Sequence, residues 1–478
     1  MPQLELEAII GLEIHAQVAT KTKMFCSCDN EAFGAEPNSR ICPVCTGQPG
    51  VLPAPNKKAL ELGLKAALAL GCEIPEKSKF DRKNYFYPDL PYGYQISQFD
   101  EPISVHGTVE IRLNGDKKKI GITRLHLEND AGKLTHVGNF SLADYNRAGT
   151  PLMEIVSEPD LRSAAEAKIY AEEVQKILQF VGSSNADLFK GEMRFDASVS
   201  LREVGTDALN PRAEIKNLNS FKALESAIDF EIERQKKLWA DGNPPKHDAT
   251  VGWDDEKGET FLMREKESAA DYRYFPEPDI PPLVLEKDFV ENLRKELPEL
   301  PLARRERFVE KFQISDDDAR NLTDSHELAD YFETVVAISG DAKKSAAWIL
   351  SELLARMKES EIKIEEQKIS AENLGSLVKK IVDGEISGKI GKEVFPEMWE
   401  SGKDVEAILK EKGIEQISDD SEIEKFVDEA ITANPSAIED FKNGKERALG
   451  AIVGTVMKLS KGQANPAKVH EILKRKIS

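Results

Sequence analysis

Two short cysteine pairs constrain the start of this chain more than any other feature: Cys26-Ser27-Cys28 and, thirteen residues on, Cys42-Pro43-Val44-Cys45. Knuckles at that spacing bring four thiolates within reach of one tetrahedral zinc ion. A shell with no open position is structural: it pins a loop and does not activate water. Four ordinary buried thiols remain the competing reading at this point. Five cysteines in 478 residues are too few for a disulfide framework. The fifth, Cys72, follows Gly71 at the end of an apolar helix and reads as a small core residue.

Period-two alternation on both sides of the knuckles marks strands with one apolar and one charged face. In Ile10–Val18 the apolar residues fall on one side, leaving Glu13, His15 and Gln17 on the other. The same rule sends Arg124, His126, Glu128 and Asp130 to one face, and Arg194, Asp196, Ser198, Ser200 and Arg202 to one face of a third strand. Acidic strand faces could meet around a magnesium ion, which prefers hard oxygen ligands; a solvated polar face is the plainer alternative. Glu154 is less ordinary. It interrupts the apolar run Pro151–Val156, where a carboxylate is costly unless it is paired or metal-bound.

Sheet-type patterns persist to about Leu283, with helices expected at Ser163–Phe180 and Leu218–Trp239. The charged run Glu286–Glu310, broken by Pro298 and Pro301, marks a boundary near 290; helical patterns such as Ala342–Met357 follow. Short helices are expected at Asp404–Lys410, Asp420–Asn434, Pro435–Asn443, Ala448–Leu459 and Pro466–Lys476. The expected fold is α+β, with a sheet-rich domain over 1–293 and two helical domains over 294–406 and 407–478. No apolar run approaches the roughly 20 residues of a membrane span, so a cytoplasmic protein is expected.

The net charge of −20 argues against a nucleic-acid partner, yet its distribution argues the other way. From Phe441 to Ser478 nine basic residues, among them Lys442, Lys445, Arg447, Lys458 and Lys461, stand against two acidic ones. In Phe80–Gln95 aromatic side chains interleave with basic ones, a composition suited either to stacking bases or to a rigid packed turn. No Walker, kinase or dinucleotide glycine motif occurs, and no cysteine outside the two pairs and no Ser/Lys motif stands out as an activated nucleophile.

Several long segments together resemble one family: Gly11-Leu12-Glu13-Ile14-His15, Cys42–Gly50, Lys83–Gln98, Leu127–Lys133, Asp144–Ile155, Arg194-Phe195-Asp196, Ala270–Asp279 and Gly462–Pro466. The resemblance, which spans essentially the whole chain, is to the B subunit of the heterotrimeric Asp/Glu-tRNA amidotransferase. It implies a cradle-shaped catalytic domain with a zinc loop, then a helical domain and a tRNA-binding tail domain. It also implies an ATP-dependent carbon–nitrogen ligase. ATP and Mg²⁺ would activate the side chain of Glu-tRNA(Gln) or Asp-tRNA(Asn), for amidation with ammonia from an amidase (A) subunit, beside a small C subunit. By resemblance, Glu13, His15, Glu128 and Glu154, and more weakly Asp196, carry magnesium and catalysis, and, in line with the charge of the tail, Lys442, Lys445, Arg447, Lys458 and Lys461 grip tRNA; the sequence does not place the ammonia path, for which Arg82, Lys83 and Tyr85 are candidates. The rivals are a non-catalytic, zinc-stabilised tRNA-binding adaptor and a plain interaction scaffold.

Overall fold

The computed structural model describes residues 5–477 apart from 114, 267–271, 414–418, 443–448, 461–462 and 465. The chain divides into two units, Met1–Pro301 and Leu302–Ser478. The first is rich in sheet and the second mostly helical, a mixed α+β protein.

Strands of the first unit are β1 (Leu6–Gln17), β2 (Lys77–Ser78), β3 (Asp81–Asn84), β4 (Tyr94–Ser97), β5 (Ser104–Leu113), β6 (Asp116–Asn129), β7 (Lys133–Val137), β8 (Phe140–Asp144), β9 (Pro151–Ser157), β10 (Met193–Glu203), β11 (Ala213–Leu218), β12 (Asp248–Asp254), β13 (Glu259–Lys266), β14 (Phe275–Pro276) and β15 (Leu283–Val284). Eight of them form one sheet in the order β13-β12-β11-β10-β1-β9-β6-β5. Its neighbours run antiparallel except the parallel pair β11–β12. A smaller sheet, β14-β3-β4, joins the end of β6, where the amide of Ile96 donates to the Asn129 side chain at 2.8 Å.

Alternation decides which face of the large sheet is buried. Ile10, Leu12, Ile14 and Ala16 of β1 are at most 1% exposed and share a core with helices α1 (Lys57–Ala69), α2 (Ala164–Phe180) and α3 (Phe221–Ala240). The expected helix start at Leu218 moves to Phe221. Leu218 still pairs with Phe195 in the sheet, and Ser220 caps the helix by accepting from the Ala223 amide at 3.0 Å. At the other sheet edge Cys72 is buried as expected and faces Gly107, where a Cβ would lie 2.4 Å from its Sγ and 2.8 Å from the Leu70 carbonyl. Gly107→Ala is therefore expected to destabilise the unit by about 1–3 kcal/mol. Urea denaturation followed by tryptophan fluorescence checks this, and an unmoved midpoint would refute it.

The second unit holds two apolar clusters, one drawn from Phe308 to Leu409 and one from Ile423 to Ile477. Val405, Ile408 and Leu409 lie in the first, so the helix Val405–Lys412 packs with residues before 406. The pattern over Ala342–Met357 is helical but contains a widened π turn at Ile349–Leu353. In the second cluster, Asp420, Glu424 and Asp428 line one ridge of the helix Asp420–Ala433. Lys468, Arg475 and Lys476 of the last helix pair with that ridge. No helix among the described residues is long and apolar enough to cross a membrane.

Candidate active site and metal centres

The polar face of the large sheet gathers the charged residues that alternation assigns to it. Register sets their neighbours: His15 lies opposite Glu154 on one side and Arg194 on the other, and His126 lies opposite Glu154 on the far strand. Glu154 thus sits between two imidazoles, its Oε2 3.4 Å from His15 Nε2 and 3.4 Å from His126 Nε2. Glu128, two residues beyond His126, approaches the same His126 Nε2 at 3.7 Å and accepts from Ser97 Oγ at 3.1 Å. Arg124 Nε points at His126 Nδ1 at 3.4 Å.

Burial opposes every charge in this cluster, but the charges answer one another. Burial would lower His126; the Glu154 and Glu128 carboxylates outweigh it and raise the imidazole to about 9. In return, hydrogen bonds and charge from the imidazoles hold both carboxylates below their ordinary range against burial. Lys83 of β3 is likewise kept protonated, burial notwithstanding, by Glu128 and Glu154. His126 is the hub that the expected ligand set leaves out, although alternation does put it on this face.

Glu13 does not enter that cluster. Its register partner is Asp196, and with Glu214 of β11 the three carboxylates bring oxygens within 4.8 Å of one another. Lys216 bridges Asp196 and Glu214 at 2.8 and 2.7 Å. Burial and the nearby Glu154 and Glu214 raise the Glu13 carboxyl. The expected single shell is therefore two adjacent groups: His15, Glu128 and Glu154, again within 4.8 Å, and Glu13, Asp196 and Glu214. The carboxylate oxygens of both sets suit a hard divalent cation, although Lys216 already neutralises part of the second, and His15 Nδ1 is a buried nitrogen with no hydrogen-bond partner. Asp130 is committed elsewhere. Arg194 grips it through both terminal nitrogens at 3.2 and 3.1 Å, and burial notwithstanding it is held at about 2.

The aromatic segment divides by the same alternation. Arg82 turns away from the acidic cluster, doubly bonded to Glu277 at 2.7 Å and stacked 4.4 Å from the Tyr94 ring centroid. Lys83 lies 5.1 Å from the Tyr272 ring and Tyr85 6.0 Å from it, with Tyr274 stacked on Phe99 at 4.2 Å. Of the expected tRNA contacts, Lys458 is exposed on the helix Leu449–Leu459. Lys445, Arg447 and Lys461 lie outside the described residues, and so does the side chain of Lys442.

The four cysteines do converge: Cys26, Cys28, Cys42 and Cys45 are all free thiols with sulfurs within 4.8 Å of one another. The Cys42–Cys45 sulfurs are 3.9 Å apart. Zn–S bonds of about 2.3 Å would give a tetrahedral edge of about 3.8 Å. The set fits a closed metal shell. Gly47 makes the knuckle turn with φ +65, and a Cβ there would press on the Pro91 carbonyl at 3.1 Å. A hydrogen bond from Cys26, the Cys42 backbone and the Lys23 charge hold the Cys45 thiol at about 5. Lys23 is wholly buried, its ammonium 2.7 Å from the Ala148 carbonyl and 3.6 Å from Cys45 Sγ. Nothing in its sequence context marks it, because its partners come from a distant loop.

Residues 8–291 match the family model described as GatB/GatE catalytic domain, which covers more than half of the chain. The chain belongs to the GatB family of amidotransferase B subunits. A second GatB domain model matches residues 330–477. The B subunit of aspartyl/glutamyl-tRNA(Asn/Gln) amidotransferase from Carboxydothermus hydrogenoformans is 49% identical over 99% of both chains. The protein of the same name from Moorella thermoacetica is 48% identical over 99% of this chain and 100% of its own, and that of Persephonella marina 48% over 98% and 99%. Both acidic clusters and the cysteine centre fall inside the GatB/GatE catalytic segment.

Proposed function

We propose that this chain, as the B subunit of a tRNA-dependent amidotransferase, converts Glu-tRNA(Gln) or Asp-tRNA(Asn) at the polar face of its large sheet. The observation that carries the reading is the buried cluster of His15, His126, Glu128 and Glu154 beneath Lys83. A side-chain carboxylate has no good leaving group. When one of its oxygens attacks the γ-phosphorus of ATP, ADP departs and an acyl phosphate forms. Ammonia then attacks the acyl carbon, inorganic phosphate leaves, and the nitrogen gives up a proton to become the amide.

His15, Glu128 and Glu154 would hold magnesium, with Glu13, Asp196 and Glu214 as a second acidic group beside them. Magnesium bound there neutralises charge on the phosphates. Lys83, beside the Tyr272 ring and drawn by the Glu128 and Glu154 charges, would orient the phosphoryl group. Lys83 and Tyr85 remain candidates for the ammonia path, whereas the Glu277 pairing of Arg82 suits a supporting role. An amidase (A) subunit supplies the ammonia and a small C subunit completes the complex, in the cytoplasm. The cysteine centre takes zinc. The domains are a cradle-shaped 1–293, a helical domain from 294 that runs on through the helix Val405–Lys412, and a tRNA-binding tail after it.

To test this, the complex is given ammonium, ATP and Glu-tRNA whose side-chain carboxylate carries oxygen-18. Label is expected in the released phosphate; amide formation with unlabelled phosphate would end the acyl-phosphate reading. Deleting the tail is expected to weaken tRNA binding about tenfold and flatten its salt dependence, because phosphate contacts release counterions. Since Val405, Ile408 and Leu409 belong to the preceding core, the cut should fall after Gly413. An unchanged Kd and salt slope would move the tRNA contacts elsewhere.

A further inference from the structure

Beside the acidic cluster a cleft of about 1060 Å³ opens between residues 29–37, the root of the β7–β8 hairpin and residues 185–192. Its inner end reaches Gln17, two residues beyond His15 on β1. Gln17 donates to Asp130 at 3.4 Å, the carboxylate that also holds Arg194, the register partner of His15. Its outer end carries two rings left in water: Phe33 is 52% exposed and Phe189 87%. Their centroids are 6.1 Å apart at an angle of 58°, and the Lys190 ammonium lies 5.9 Å from the Phe33 ring.

Leaving a phenylalanine exposed forgoes about 1.5–3 kcal/mol of burial, so two at the mouth of a polar cleft mark a binding surface. Lys21, Lys133, Arg147 and Lys190 supply cations there, and Asp29, Glu31, Asp144 and Glu192 balance them, so the wall carries no net basic patch. That mixture suits one or two unpaired nucleotides held by stacking rather than a duplex held by its phosphates. The segment between the cysteine pairs carries Phe33, so the cysteine centre fixes one wall of the cleft at both of its ends.

We propose that this cleft takes the unpaired 3′-terminal nucleotides of the substrate tRNA, with a base stacked at Phe33 and Phe189. The inference rests on the amidotransferase reading above. The amino acid is esterified to the terminal ribose, so that nucleotide must lie one amino acid's length from the reacting carboxylate. A base at the cleft mouth sends the ester past Gln17 toward His15 and Glu154.

The test uses the assembled complex and tRNA ending in 8-azidoadenosine. Irradiation is expected to label residues 29–37 or 185–192, in the wild type and equally in the Glu128→Gln complex. Phe189→Ala and, with bulk retained, Phe33→Leu should each raise the KM for Glu-tRNA about tenfold, the size of one lost base–aromatic stack. KM for ATP and the partner's glutaminase turnover should not move. Label outside both segments, or an unchanged KM for Glu-tRNA in both variants, overturns the proposal. A wild-type complex that labels these segments yet forms no amide leaves the cleft assignment standing and removes the amidotransferase reading alone.

Discussion

Replacing Glu154 by glutamine in the assembled enzyme is expected to cut ATP-dependent amidation by about 10²- to 10³-fold, the loss seen when one charge-stabilising group is removed from a preorganised site. Glutamine keeps the shape and one acceptor oxygen, so His15 and His126 retain a neighbour. What disappears is the charge on which both imidazoles converge at 3.4 Å. Without it the His126 imidazolium loses its larger carboxylate partner, and a cation at His15 and Glu128 loses a ligand. Glu128→Gln should fall by a similar factor. Glu13→Gln is the informative comparison, because Glu13 belongs to the group with Asp196 and Glu214. If the two groups bind separate cations, the magnesium titrations of Glu154→Gln and Glu13→Gln will shift independently. Glutaminase turnover by the partner should survive all three substitutions. Normal amidation by both Glu154→Gln and Glu128→Gln would return the chain to the non-catalytic adaptor.

Which side chains share a face was readable because strand alternation is local: Glu13, His15 and Gln17 follow it without a break. Which of them meet was not readable, because meeting depends on register. β1 hydrogen-bonds to β9 and β10, strands that begin more than a hundred residues later, and only that pairing sets Glu154 against His15 and Asp196 against Glu13. A list of acids could therefore be drawn from the sequence but not sorted into two clusters, and Glu214 and Lys216 on β11 carry no local signal of their own. Lys23 was hidden for a related reason. A lone lysine reads as surface, and its burial is earned from the Tyr145 and Ala148 carbonyls across the fold. The expected boundary near 290 lies close to 291, where the match to the catalytic-domain model ends, while the compact unit runs on to Pro301 because Val290 and Leu293, inside a charged run, still reach the first core.

Removing the metal from the cysteine centre should produce a local failure with a catalytic consequence. A four-thiolate zinc site contributes about 10–16 kcal/mol to an isolated finger, which has no other core. Here the first unit has the large core around β1, so most of its structure does not depend on the centre. The segment between the cysteine pairs does. It buries little of itself, with Phe33, Glu31 and Arg40 exposed, and beyond the centre it is tied down mainly by Asn38 and Asn146 contacts of 2.7–3.0 Å. Without metal, the Cys45 thiolate held at about 5 is left with the Cys26 hydrogen bond, the Cys42 backbone and the Lys23 charge, while the Cys26 and Cys28 thiols beside it are pushed up. Cys42→Ser with Cys45→Ser is thus expected to abolish zinc in the purified complex and to speed amide exchange across residues 29–41 by about 10²- to 10³-fold, equivalent to about 3–4 kcal/mol of local stability. Exchange in β1 and α2 should stay within a factor of a few. Because this segment carries Phe33, the KM for Glu-tRNA should rise at least as far as in Phe33→Leu, with the KM for ATP unmoved. A zinc-free chain whose residues 29–41 exchange at the original rate would mean that the thiols pack as ordinary core and that the cleft wall stands without the metal.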